Sequence, residues 1–116
     1  MALDGTVPYD ILFNDTSASE VAFELDLYWV SKADVDPLSY LAKDPMRFPL
    51  VHVKDMANSD QQEFTEVGTG TIDFKTIFAS PHSRGMRHLF VEQDTIKGDR
   101  WQSIKTSLAG LQNALS

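Results

Sequence analysis

The chain has 116 residues, a formal net charge of −7 and no cysteine. That length allows one domain with a real core, and the missing cysteines exclude a disulfide scaffold and any thiolate metal site. The acidic balance, with basic residues scattered rather than clustered, argues against nucleic acid and anionic membrane surfaces as partners.

Met1–Gly5 reads as a frayed lead. Thr6 or its neighbour can begin a short helix with Pro8 in the first turn and Ile11, Leu12 and Phe13 as its apolar side. Asn14–Ser19 is turn-rich. Val21–Val30 follows as a strand, Phe23, Leu25 and Leu27 alternating with Glu24, Asp26 and Tyr28. Glu24 alone reads as a solvated strand residue, whereas Asp26 stands out because aspartate is depleted in strands. Asp36-Pro37 starts the helix Pro37–Lys43, and Asp44-Pro45 ends it.

Phe48–Val53 is apolar, β-rich and too short for a core helix, so it is expected to be a buried strand with His52 near its end. Met56–Glu66 is a long polar loop, a place where lids and mobile segments occur. Gly68-Thr69-Gly70 is better read as a tight turn before a helix at Asp73–Ala79 than as a phosphate loop, although its free amides could still meet a phosphate. Ser80–Gly85 closes that helix, with Gly85 at the position after the cap. His82 reads as a loop residue, and His88 opens the next strand, which ends on Glu92. Asp99 caps a last helix, Arg100–Leu115, whose Trp101, Ile104, Leu108, Leu111 and Leu115 form a stripe expected to face a sheet.

Helix followed by three strand–helix units is the pattern of an α/β protein with a parallel sheet and right-handed crossovers. The carboxyl ends of such strands open on one face, where ligands bind. Asp26, His52 and Glu92 would therefore converge, an oxygen–nitrogen set suited to a divalent metal. No stretch approaches the roughly 20 apolar residues of a membrane span. Met1–Asp10 lacks the basic start and apolar run of a signal peptide, so a cytoplasmic location is expected.

Four ordered motifs carry a resemblance: Phe23-Glu-Leu-Asp-Leu-Tyr-Trp29, Arg47-Phe-Pro-Leu-Val-His-Val-Lys-Asp55, Val67-Gly-Thr-Gly-Thr-Ile-Asp-Phe74 and Phe90-Val-Glu-Gln-Asp94. In this order they resemble the sugar phosphate isomerase/epimerase family, whose fold is the xylose isomerase-like TIM barrel. The resemblance runs over nearly the whole chain, 1–116, as one domain. It covers only the carboxyl-terminal half of a barrel that usually takes about 250 residues.

It implies a metal (Mn²⁺, Mg²⁺ or Zn²⁺) held by Asp26, His52 and Glu92, and a fourth ligand, a glutamate, expected upstream of Met1. It also implies proton transfer at a sugar carbon next to a carbonyl, with stabilisation of the enediolate. Glu92 is the one acid/base glutamate carried over, so a two-base epimerisation is not expected from one copy. Trp29 stands where related epimerases often have a substrate-binding histidine, so it either stacks on a sugar or packs. Lys54 either contacts an anionic group of a sugar phosphate or pairs with Asp55. Asp34 stands where the family commonly has glycine, in a left-handed turn that aspartate tolerates.

Three parallel strands cannot close a barrel, and both outer strands expose unpaired backbone. A homo-oligomer, or a separate chain supplying the missing half, is the expected remedy. The alternative function is a non-catalytic oligomerisation or sugar-binding module built from barrel parts.

Overall fold

The computed structural model describes residues 5–116, so the lead expected over Met1–Gly5 lies, Gly5 apart, outside the described residues. Three strands form the central sheet: β1 (Glu24–Asp26), β2 (Leu50–Val53) and β5 (His88–Val91). They lie side by side in that order, all parallel, with Leu25, Val51 and Leu89 in one row and Asp26, His52 and Phe90 in the next. A two-stranded antiparallel ribbon, β3 (Asp55–Met56) with β4 (Phe64–Thr65), stands beside it. Helices α1 (Pro8–Asn14), α2 (Leu27–Lys32), α3 (Pro37–Lys43), α4 (Phe74–Ala79) and α5 (Arg100–Leu115) complete the fold. The α/β architecture with parallel strands flanked by helices is as expected.

One sheet face is apolar. Leu25, Val51 and Val53 are buried against Leu27, Leu41, Phe48, Phe74 and Ile77. Each such side chain stabilises the fold by roughly 1.5–3 kcal/mol on leaving water. Arg47 is buried beneath, its guanidinium donating to the carbonyls of Phe13, Thr16 and Val21 and lying over the rings of Phe13 and Phe23. These bonds tie α1 and its following turn to the sheet.

The strand expected over Val21–Val30 is shorter than its apolar pattern suggests. It stops at Asp26, whose carboxylate accepts from the amide of Trp29 and starts α2. Leu27 and Tyr28, adjacent in sequence, are both buried, which strict strand alternation would forbid. Asp36 caps α3 through the amide of Leu38 and Asp99 caps α5 through that of Gln102, as read from sequence, and Asp73, expected inside α4, caps it through the amide of Thr76. Asp34 has φ 57°, the left-handed conformation expected of it.

Three packing expectations are corrected. In α1 the inward residues are Tyr9 and Phe13, while Ile11 and Leu12 are exposed. In α5 the stripe faces outward: Trp101 is 74% exposed and Ile104, Leu108 and Leu115 are exposed too, leaving Leu111 alone buried among them. The buried side carries Ser103, Ser107 and Leu111 because small residues let the helix lie against the Val67–Gly68 turn. A Cβ on Gly110 would collide with the carbonyl of Val67. Gly85 does not cap α4, which ends at Ser80; it makes room for the backbone of Pro45.

Candidate metal centre at the sheet rim

Parity along the strands builds the second sheet face. Glu24 and Asp26 lie two apart on β1, His52 and Lys54 two apart on and just beyond β2, and Phe90 and Glu92 likewise for β5. Residues two apart share a face, so six side chains of largely polar character line one side. The Glu92 amide donates to the Val53 carbonyl, which extends the ladder past Val91 and fixes where Glu92 projects.

Asp26, His52 and Glu92 each offer a ligand atom, and these atoms lie within 4.8 Å of one another. His52 Nδ1 is 3.3 Å from Asp26 Oδ2 and 3.8 Å from Glu92 Oε2. On the other side of the ring, Nε2 is 3.0 Å from Glu24 Oε1. The sequence reading set Glu24 aside as a solvated residue; its shared parity with Asp26 was the signal that places it here.

Lys54 is the cation of the site. Its side chain is 2% exposed, with Nζ at 2.5 Å from Glu92 Oε2, 2.9 Å from Asp94 Oδ1 and 3.4 Å from Asp26 Oδ2. Burial works against its charge, but the contacts with Glu92 and Asp94, then the field of Asp26, outweigh it and raise its pKa above that of a free lysine. The ammonium also lies 5.7 Å from the ring of Trp29 and 5.3 Å from that of Phe64. Trp29 is half exposed beside it, edge-on to Phe64.

Of the two alternatives for Lys54, pairing with Asp55 is overturned. Asp55 is fully buried, and its carboxylate accepts from the amides of Met56, Gly68, Gly70 and Ile72. The same bonds remove the phosphate-loop option, because Asp55 already occupies the amides of the Gly-x-Gly turn. The Met56–Glu66 segment is likewise no open lid. It is the β3–β4 hairpin, latched by Tyr28 Oη and Lys32 Nζ donating to the carbonyl of Gln62.

One imidazole and two carboxylates suit Mn²⁺, Mg²⁺ or Zn²⁺. Glu92 Oε2 is sealed from solvent and accepts no hydrogen bond of good geometry, so its one strong neighbour is the Lys54 charge. Asp26, Glu92 and Asp94 face the single ammonium of Lys54, and Glu24 adds a fourth carboxylate beside His52. Donor type and surplus negative charge therefore fit a divalent cation.

Fold and site define a class: a piece of a TIM-type barrel, three parallel strands with flanking helices and a polar rim at their carboxyl ends. Two solved structures make the likeness particular. A sugar phosphate isomerase/epimerase from Parabacteroides distasonis superposes with a TM-score of 0.74 and 29% identity, over 97% of this chain and 37% of that one. A second structure from that organism, also a sugar phosphate isomerase/epimerase, gives a TM-score of 0.64 and 32% identity, over 96% of this chain and 35% of the other. The resemblance carried by the four sequence motifs thus holds in three dimensions. The chain spans little more than a third of the length of the structures it matches. No family model and no curated protein matches it.

Proposed function

We propose that this chain is a metal-binding, sugar isomerase/epimerase-like domain that is incomplete for catalysis by itself. The observation that carries the reading is the convergence of Asp26, His52 and Glu92 within 4.8 Å at the ends of three adjacent parallel strands. A divalent cation bound there supplies Lewis acidity toward a sugar carbonyl and its neighbouring hydroxyl. In this reading Glu92 holds the proton taken from the adjacent carbon. Lys54 would reach a phosphate or developing oxyanion only by exchanging one of its carboxylate partners, whereas the exposed face of Trp29 is open to a sugar ring. The second base and fourth ligand must come from elsewhere. A groove of about 310 Å³ along the free edge of β1, between Tyr9, Tyr40 and Trp29, offers a seat for a neighbouring barrel element. A second copy of the chain, or a separate chain carrying the other strands, fits that need.

Calorimetric titration of the full chain with Mn²⁺ and with Zn²⁺ tests the proposal. Saturable binding is expected, weakened at least about tenfold in His52→Ala. Absence of binding to folded protein overturns it.

One observation favours a second reading. Lys54 already neutralises Asp26 and Glu92, as it would in a sugar-binding or oligomerisation module that needs no ion. Binding of a sugar phosphate without turnover, and without dependence on added metal, distinguishes that case.

A further inference from the structure

Glu24 is an acidic residue of the same sheet face that belongs neither to the ligand triad nor to the carboxylates around Lys54. The two nitrogens of His52 have different surroundings. Nδ1 looks into the triad, with Asp26 Oδ2 at 3.3 Å and Glu92 Oε2 at 3.8 Å, while Nε2 looks away from it, toward Glu24 Oε1 at 3.0 Å. Strand parity puts Glu24 there, two residues before Asp26 on the same face of β1 and paired in register with Leu50.

A neutral imidazole has one proton for two nitrogens. With the proton on Nδ1, the ring donates to Asp26 Oδ2 at 3.3 Å. An ion held jointly by Asp26, His52 and Glu92 would take the lone pair of Nδ1, the nitrogen that both carboxylates face. The proton then belongs on Nε2, where Glu24 Oε1 is the acceptor at hand. Glu24 does not belong to the set of ligand atoms that lie within 4.8 Å of one another.

We propose that Glu24 is the positioning residue of this centre: its carboxylate accepts the Nε2–H of His52 and holds the ring with Nδ1 toward the ion. Such a partner fixes the tautomer and raises the basicity of the ligating nitrogen. The assignment rests on the metal reading above. It adds a carboxylate that binds neither ion nor substrate, yet sets how well the ion is held.

The test uses the ¹⁵N-labelled full chain titrated with Zn²⁺, reading the imidazole ¹⁵N resonances and two-bond ¹H–¹⁵N couplings, with calorimetry alongside. Wild type is expected to show His52 coordinated through Nδ1 and protonated on Nε2. Glu24→Ala is expected to lose about 10- to 100-fold in Zn²⁺ affinity. Glu24→Gln, whose amide oxygen still accepts from Nε2–H, is expected to recover most of that loss. The Glu24 side chain is 39% exposed, so both variants should keep the fold. Coordination through Nε2, or unchanged affinity and an unchanged nitrogen signature in Glu24→Ala, overturns the role of Glu24 and leaves the metal reading standing. Wild-type chain that takes up no Zn²⁺ defeats the metal reading and this assignment with it.

Discussion

Lys54 and Asp55 are neighbours in sequence whose side chains part at the backbone. The Lys54 ammonium runs to Glu92 and Asp94 at the rim, and the Asp55 carboxylate turns inward to the amides of Gly68, Gly70 and Ile72. One residue serves the site, and the other holds the turn that carries the chain toward α4.

Asp55→Asn should cost about 2–4 kcal/mol, measured by urea unfolding. The amide nitrogen would replace an oxygen that now accepts from two backbone N–H groups, leaving donors facing donors in a buried turn. Gly70→Ala should damage the same turn, because a Cβ there collides with the Met56 carbonyl and the Asp55 carboxylate.

Lys54→Met probes competition between ammonium and ion. Removing the buried cation leaves Asp26, Glu92 and Asp94 facing one another. A loss of about 1–3 kcal/mol is expected without metal. Added Mn²⁺ should raise the melting temperature of Lys54→Met more than that of wild type, because the ion then neutralises carboxylates that have lost the lysine charge. Thermal scans with and without Mn²⁺ read the difference.

Leu111 and Leu108 separate the two faces of α5. Leu111→Ala should cost about 2–4 kcal/mol, whereas Leu108→Ala should stay within about 0.5 kcal/mol, since the first is buried and the second exposed. Denaturant unfolding of the pair decides which face is packed.

Tyr9 gives a pH signature. Burial, and then the neighbouring Tyr40, push its phenol up to about 12 from the usual 10. The folded state therefore favours the protonated form. Its contribution to stability is complete below pH 10 and is lost as the pH rises from 10 to about 12. A phenolate absorbance titration should show a late transition that Tyr9→Phe removes. Among the described residues the buried Tyr9 hydroxyl has no hydrogen-bond partner, so Tyr9→Phe should be neutral or stabilising by up to about 1 kcal/mol.

Much of the fold was legible because local signals and burial agree. The run Leu50–Val53 is apolar, β-branched and short, and it is the central strand; Asp36, Asp73 and Asp99 cap the helices that they precede. Asp26, His52 and Glu92 could be placed together because parallel strands present their ends on one side. What failed did so where tertiary contact overrides pattern. Leu27 and Tyr28 continue a strand-like run, yet the Asp26 cap turns them into α2. The outward stripe of α5 is the more hydrophobic side, but Ser103, Ser107 and Gly110 win the interior because only small residues fit against Val67 and Gly68. The bonds of Asp55 span up to 17 residues of sequence, and no local pattern announces them.

The spatial order of the sheet, β1, β2, β5, follows the order of the chain. Each successive unit is laid down on the same flank of its predecessor, so the first and last strands both remain free to gain a neighbour. Further units could be spliced ahead of β1 or after α5 without breaking a rung of the existing ladder. For a protein engineer this makes the chain a natural cassette for building chimeric barrels, with its polar rim travelling intact.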